Sequence, residues 1–107
     1  PIQLVIVPIL KKGHEQEVLD AVHKIKESLK GVRVYVDADD QKTPGAKFYQ
    51  WELKGVPLRM EVGPRDLAQN QVMLTTRLDS HKQALSLDKL ETEIPLLLEQ
   101  IQQQMFE

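Results

Sequence analysis

Between Thr43 and Leu67 the chain reads TPGAKFYQWELKGVPLRMEVGPRDL, which sets Glu52, Arg59, Arg65, Lys47 and Lys54 around the only tryptophan, Trp51. A carboxylate accepts from two adjacent N–H donors, Arg and Lys donate to acceptors or anions, and aromatic rings offer faces for stacking. No packing rule calls for that mixture, and its chemistry is non-covalent recognition. Covalent chemistry lacks its usual signatures. Ser28, Ser80 and Ser86 lie in no GxSxG frame, and there is no GxxxxGK[ST] or GxGxxG string. His14, His23 and His81 are far apart and fit no HExxH pattern. Asp37, Asp39 and Asp40 hint at a hard-cation site, yet no further oxygen ligand follows at a recognisable spacing, so an ordinary polar loop is the expectation. With no cysteine there is no thiolate site either. The reading is a binding module with no catalytic residues, no metal and no cofactor of its own.

Each of these residues also has a plainer reading. Glu52 could pair with Lys47, Lys54 or Arg59 on an exposed surface, an interaction worth about 0–1 kcal/mol. Arg59 alternates along a strand pattern, which ordinarily means a solvated face, and Arg65 beside Asp66 fits a turn ion pair. Phe48 and Trp51 at helical spacing are more often core than stacking surface.

A chain of 107 residues supports one domain with a single core, and residues 1–107 are read as such. No apolar run approaches the roughly 20 residues of a membrane span. Pro1 to Leu10 lacks the charged leader of a signal peptide. The expectation is a soluble, cytoplasmic protein, which the absence of cysteine suits. The net charge of −2 argues against a generic DNA- or RNA-coating protein. The charge is unevenly spread, however. Residues 47–82 carry six basic and four acidic side chains, whereas 83–107 carry one and five. A polyanionic partner is therefore to be sought on the middle third, where the aromatic residues also lie.

Hydrophobic periodicity orders the elements that must position these groups. Ile2–Val7 reads as a strand buried on both faces, ended by Pro8, and is expected at the centre of the sheet. Val18, Leu19, Val22, Ile25 and Leu29 form a helical stripe over 15–29, and Gly31 stops it. A second strand over 32–36 completes a strand–helix–strand unit, which favours a parallel crossover. Thr43 as N-cap, Pro44 at the first helical position and Gly55 as left-handed stop bracket a second helix. Pro57 opens a third strand in which Arg59 and Glu61 face away from Leu58, Met60 and Val62. A short turn is expected at 66–70, a fourth strand at 71–77, a turn at Asp79–Ser80 and a fifth strand at 82–85. Leu87, Leu90, Ile94, Leu97, Leu98, Ile101 and Met105 mark a last amphipathic helix, with Pro95 placed to split it. The predicted fold is α/β: a three-layer αβα sandwich with a mixed sheet of about five strands and about three helices. There is no internal repeat or linker. A strand starting at Ile2 and a helix still running at Phe106 give the chain the look of a piece of a longer polypeptide.

The string PGAKFYQWELKGVPLRMEVGPRDL at 44–67 resembles the C-terminal anticodon-binding domain of prolyl-tRNA synthetases, within the family shared by class IIa aminoacyl-tRNA synthetases. Val5–Ile9, the strand and acidic loop at Val34–Asp40, and QVMLTTR at Gln71–Arg77 fall in the same order as in that family, so the likeness spans the chain. KFYQWELKGVPLR followed by GPRDL is similar to the eukaryote-like and archaeal-like prolyl type. Members of that type usually continue into a further C-terminal domain, which this sequence, ending at Glu107, does not include.

The resemblance implies a partner, the anticodon loop of proline tRNA, with guanine at its second and third anticodon positions. It places ATP and Mg in a catalytic domain outside this chain, makes the remainder of a synthetase chain a second partner, and implies a homodimeric full-length enzyme. Guanine offers N1–H and its exocyclic amine to one carboxylate, and O6 and N7 to Lys or Arg. Anticodon bases are splayed out, so these edges are accessible. The resemblance makes Glu52 the main guanine reader, with Arg59 and Arg65 as basic partners. The hairpin after the fourth strand offers His81 or Lys82, of which Lys82 is preferred because its charge does not depend on pH. Phe48 and Trp51 are the candidates for base stacking. Two alternatives stand beside this reading: an anticodon domain of a threonyl, histidyl or glycyl enzyme, and an accessory protein-interaction module of the same fold. A flavodoxin-like or phospho-acceptor domain is more remote.

Overall fold

The computed structural model describes residues 2–39, 41–76 and 82–105. Ten elements follow in order. They are β1 (Leu4–Pro8), α1 (Glu15–Ser28), β2 (Val34–Val36), α2 (Pro44–Leu53), β3 (Leu58–Val62), α3 (Pro64–Ala68), β4 (Gln71–Thr76), β5 (Lys82–Ser86), a 3-10 turn (Leu87–Lys89) and α4 (Leu90–Met105). The five strands form one mixed sheet in the order β2-β1-β3-β4-β5. β1 runs parallel to β2 and β3, and β4 is antiparallel to both β3 and β5. The expected α/β class, mixed sheet and parallel crossover are all present.

Alternation along the strands divides the core in two. Leu4, Ile6, Leu58, Met60, Val62, Val72 and Leu74 face α1 and α4, which contribute Val18, Val22, Ile25, Leu90, Ile94 and Ile101 to one continuous cluster. Val5 and Val7 face the opposite way and pack with Trp51 and Val56 beneath α2. α2 is thus the third layer, and it is much narrower than the sheet.

Several details differ from the periodicity reading. β1 lies inside the sheet, but the middle strand is β3. Leu19 is exposed rather than on the buried stripe of α1. The turn expected at 66–70 is the short helix α3 followed by Asn70 in the left-handed region, so the described residues hold four α-helices rather than three. Pro95 does not split the last helix. Its missing N–H removes one helical bond, yet Leu90, Ile94 and Ile101 on either side are almost wholly buried and hold α4 to the sheet. Arg77, the Asp79–Ser80 turn, His81, Asp40 and Phe106 lie outside the described residues.

The second helix starts as its sequence requires. Thr43 accepts from Ala46 N through its hydroxyl at 3.2 Å, Pro44 occupies the first turn, and Gly55 takes a φ of 80° just past the end. Its seat on the sheet depends on Asp37, at the end of β2. The Asp37 carboxylate accepts from Trp51 Nε1 at 2.8 Å and lies 3.9 Å from Lys47 Nζ, which also donates to the Asp37 carbonyl at 3.0 Å. Lys47 is 4% exposed and Trp51 7%, so these donors are out of reach of bulk water and need their acceptor. Tyr35 packs on Trp51 with ring centroids 5.1 Å apart, and Lys54 Nζ sits 4.6 Å from the same ring.

Asp37→Ala leaves a buried indole N–H without its acceptor and a buried ammonium without its counter-charge, and should lower the unfolding free energy by about 2–3 kcal/mol. Asp37→Asn, which keeps an acceptor oxygen, should lose less. Urea unfolding followed through the fluorescence of Trp51 measures both, and a loss below about 0.5 kcal/mol for the alanine variant would show that α2 is seated by other means.

Candidate functional site

On the α2 side of the sheet the register lines up Tyr35, Val5, Arg59, Thr75 and Lys82 as one row across all five strands. α2 covers the first part of this row, Thr75 on β4 is still buried, and the β5 end is open, where Lys82 and Ala84 are exposed. Phe48 and Glu52, four residues apart on α2, stand along the boundary between the covered and open parts. That boundary is where the recognition chemistry gathers.

Arg59 is not on a solvated face. Lying on the middle strand, it is only 7% exposed. Its Nη1 sits 3.3 Å from Glu52 Oε2 and donates to the Phe48 carbonyl at 3.5 Å, while its buried Nε has no partner among the described residues. The other end of the ion pair is open, since the Glu52 side chain is 59% exposed. The pair therefore works as a bracket: a fixed, desolvated cation holds one carboxylate oxygen and leaves the other toward solvent. Lys47 and Lys54, the other cations near Glu52 in sequence, are engaged elsewhere by Asp37 and the Trp51 ring.

Lys82 joins the same cluster from β5. Its Nζ donates to Glu61 Oε2 at 2.6 Å and lies 5.6 Å from the Phe48 ring centroid. The Lys82 side chain is about half exposed and that of Glu61 17%. Glu61 was legible only as a polar residue alternating with apolar ones. Its partnership with Lys82 depends on strand register and had no local signal.

The remaining candidates separate. Trp51 is a core residue, 7% exposed, whose N–H is committed to Asp37 and whose ring packs with Tyr35 and Lys54, so it offers little surface for stacking. Phe48 is half-buried against the smaller core, with Lys82 near its ring, and retains an accessible edge. Arg65 is exposed on α3, past the end of β3, and joins neither the Glu52–Arg59 pair nor an ion pair with Asp66. α3 is brought close to the end of β1 because Gly63 lacks a side chain; a Cβ there would lie 3.2 Å from Ile9 Cβ. His81 is not among the described residues. Asp37 and Asp39 are tied into the loop, Asp37 accepting from Asp39 N at 3.3 Å, and among the described residues no group of three or more metal-binding side chains forms. No described helix is long and apolar enough to cross a membrane.

An exposed carboxylate oxygen anchored from beneath and a half-buried aromatic ring with an ammonium beside it can together read the edge of a planar, hydrogen-bonding ring. Comparison with known proteins agrees with that chemistry. A family model described as an anticodon binding domain matches residues 3–96. A proline–tRNA ligase of Methanosarcina mazei is 45% identical over 109 aligned residues, covering all of this chain, and one of Clostridium novyi is 47% identical over 108. The chain spans 22% of the length of each. The crystal structure of a prolyl-tRNA synthetase from Cryptosporidium parvum, complexed with L-proline and AMP, superposes with a TM-score of 0.89 at 39% identity. That match covers 97% of this chain and 22% of the synthetase chain.

The two ends of the Arg59–Glu52 pair should respond differently to mutation. Arg59→Met replaces a buried cation by an apolar side chain of similar length and should leave the unfolding free energy within about 1 kcal/mol. Glu52→Ala strips the buried guanidinium of its carboxylate and, after allowance for solvent screening at the exposed end, should cost about 1–2 kcal/mol. Chemical denaturation ranks the two variants, and the reverse order would mean that the bracket is not what holds Arg59.

Proposed function

The chain belongs to the anticodon binding domain family, and from that premise we propose that it is the part of a prolyl-tRNA synthetase that recognises the anticodon loop of proline tRNA. The observation that carries this reading is the exposed Glu52 carboxylate, held by buried Arg59 beside Lys82 and Phe48. Glu52 accepts from N1–H and the exocyclic amine of a guanine, both of which a carboxylate can take together. Lys82 supplies the donor for a base or phosphate acceptor, and Phe48 offers a ring edge. Arg65 serves as a separate basic contact on the flank. Arg59 acts mainly through Glu52, which it orients.

In this reading the ligation of proline to tRNA with ATP and Mg takes place in the larger part of the synthetase, which supplies the domain's second partner. The full enzyme is a cytoplasmic homodimer, and this domain contributes discrimination rather than bond making. The identity of the relatives favours proline tRNA over the threonyl, histidyl and glycyl alternatives.

Titration with short anticodon stem-loops tests the proposal. The chain should prefer the proline anticodon, and Glu52→Ala should remove about 1–3 kcal/mol of discrimination for guanine. Equal loss for matched and base-swapped loops would refute the readout role. Glu61→Gln should act in the opposite direction. By releasing Lys82 from its carboxylate it should raise affinity for any loop sequence and steepen the dependence of log Kd on log salt by up to about one phosphate contact. An unchanged slope would remove Lys82 from the phosphate-binding set.

A further inference from the structure

Glu52 is flanked on its own helix by two aromatic residues, Phe48 four positions before it and Tyr49 three positions before it. Side chains at these offsets are neighbours on a helix surface, and the Cα–Cβ bond tilts toward the helix N-terminus. The Glu52 side chain accordingly leans back over the turn that carries both rings. Phe48 occupies the sheet side of this slot and is half-buried. Tyr49 occupies the outer side and is 64% exposed, with Leu53, 71% exposed, one turn further along the same ridge. No hydrogen bond, ring contact or core cluster among the described residues engages Tyr49. Nothing in the packing of α2 accounts for a large ring and a leucine turned to water beside the reading carboxylate.

We infer that Tyr49 is a stacking platform for an unpaired base of the anticodon loop, adjoining the guanine whose edge Glu52 reads. This deepens the anticodon-reading proposal and rests on it. A base held edge-on to Glu52 leaves its neighbour in the strand with a free π-face, and single-stranded RNA bases are captured by stacking on exposed aromatic side chains. Leu53 extends the apolar floor under that base. A protein occupant suits the ridge less well, because a stable protein interface buries roughly 800 Å² per partner, whereas one ring suffices for one base. Every base has a π-face, so this contact adds affinity without choosing sequence and leaves discrimination to Glu52.

The test uses this chain, its Tyr49→Ala and Tyr49→Phe variants, and proline anticodon stem-loops carrying single abasic positions, with Kd read by titration. Tyr49→Ala should weaken binding on the order of tenfold for guanine-containing and base-swapped loops alike. Tyr49→Phe, which keeps the ring, should bind as the wild type does. One abasic position next to the guanine should weaken the wild type by a similar factor and have no further effect on Tyr49→Ala. Unchanged affinity in Tyr49→Ala, or additive losses at every abasic position, would overturn the stacking role while leaving the guanine preference of the wild type intact. Absence of any guanine preference in the wild type would instead overturn the anticodon reading on which it rests.

Discussion

Arg59 stands on the middle strand with its guanidinium beneath α2, and a cation withdrawn from water in this way demands acceptors, since an unpaired buried charge costs several kcal/mol. Both acceptors come from α2: the Phe48 carbonyl and the Glu52 carboxylate. The requirement runs in both directions. The helix must sit where it can serve the guanidinium, and the guanidinium then fixes the direction in which the carboxylate points. On the adjacent face of α2 the Asp37 carboxylate makes a matching demand through Trp51 and Lys47. A ten-residue helix with little intrinsic stability of its own is thereby pinned on two adjacent faces.

This arrangement assigns different work to the two faces of the sheet. Toward α1 and α4 the contacts are those of an ordinary apolar core, and substitutions there act on stability. Toward α2 the apolar cluster is small, its margin is polar, and the β5 edge of the sheet is left exposed. Hydrogen-bonding groups on that margin sit on α2 and on strands β3 and β5 rather than on loops, so less ordering is needed when a ligand arrives.

The charge distribution fits recognition better than coating. The chain carries a net charge of −2, and Lys82, the cation beside the Phe48 ring, is itself paired with Glu61. Arg59 contributes little long-range field because its charge is neutralised locally by Glu52. What remains is a set of short-range, directional groups, with less of the salt-sensitive attraction that a basic patch exerts on any nucleic acid.

Local sequence was sufficient wherever a structural choice is made within one helical turn or one strand. Thr43, Pro44 and Gly55 marked α2 because capping depends on the immediate neighbours, and the alternation from Leu58 to Val62 placed Arg59 and Glu61 on one face because the pleat repeats every two residues. Glu52 was singled out not by such a rule but by the motif around it, which carried the resemblance to the family. Tertiary structure alone decided which polar residues are buried and with whom they pair. Whether Arg59 meets water depends on α2 crossing above it, and the commitment of Trp51 to Asp37 joins residues 14 positions apart. Lys82 finds Glu61 only through the register that aligns β3, β4 and β5. Pro95 persists inside α4 because the burial of its neighbours outweighs one missing hydrogen bond. Capping and pleating are nearest-neighbour effects written in the order of residues, whereas burial and register are set by layers that form only when distant segments meet.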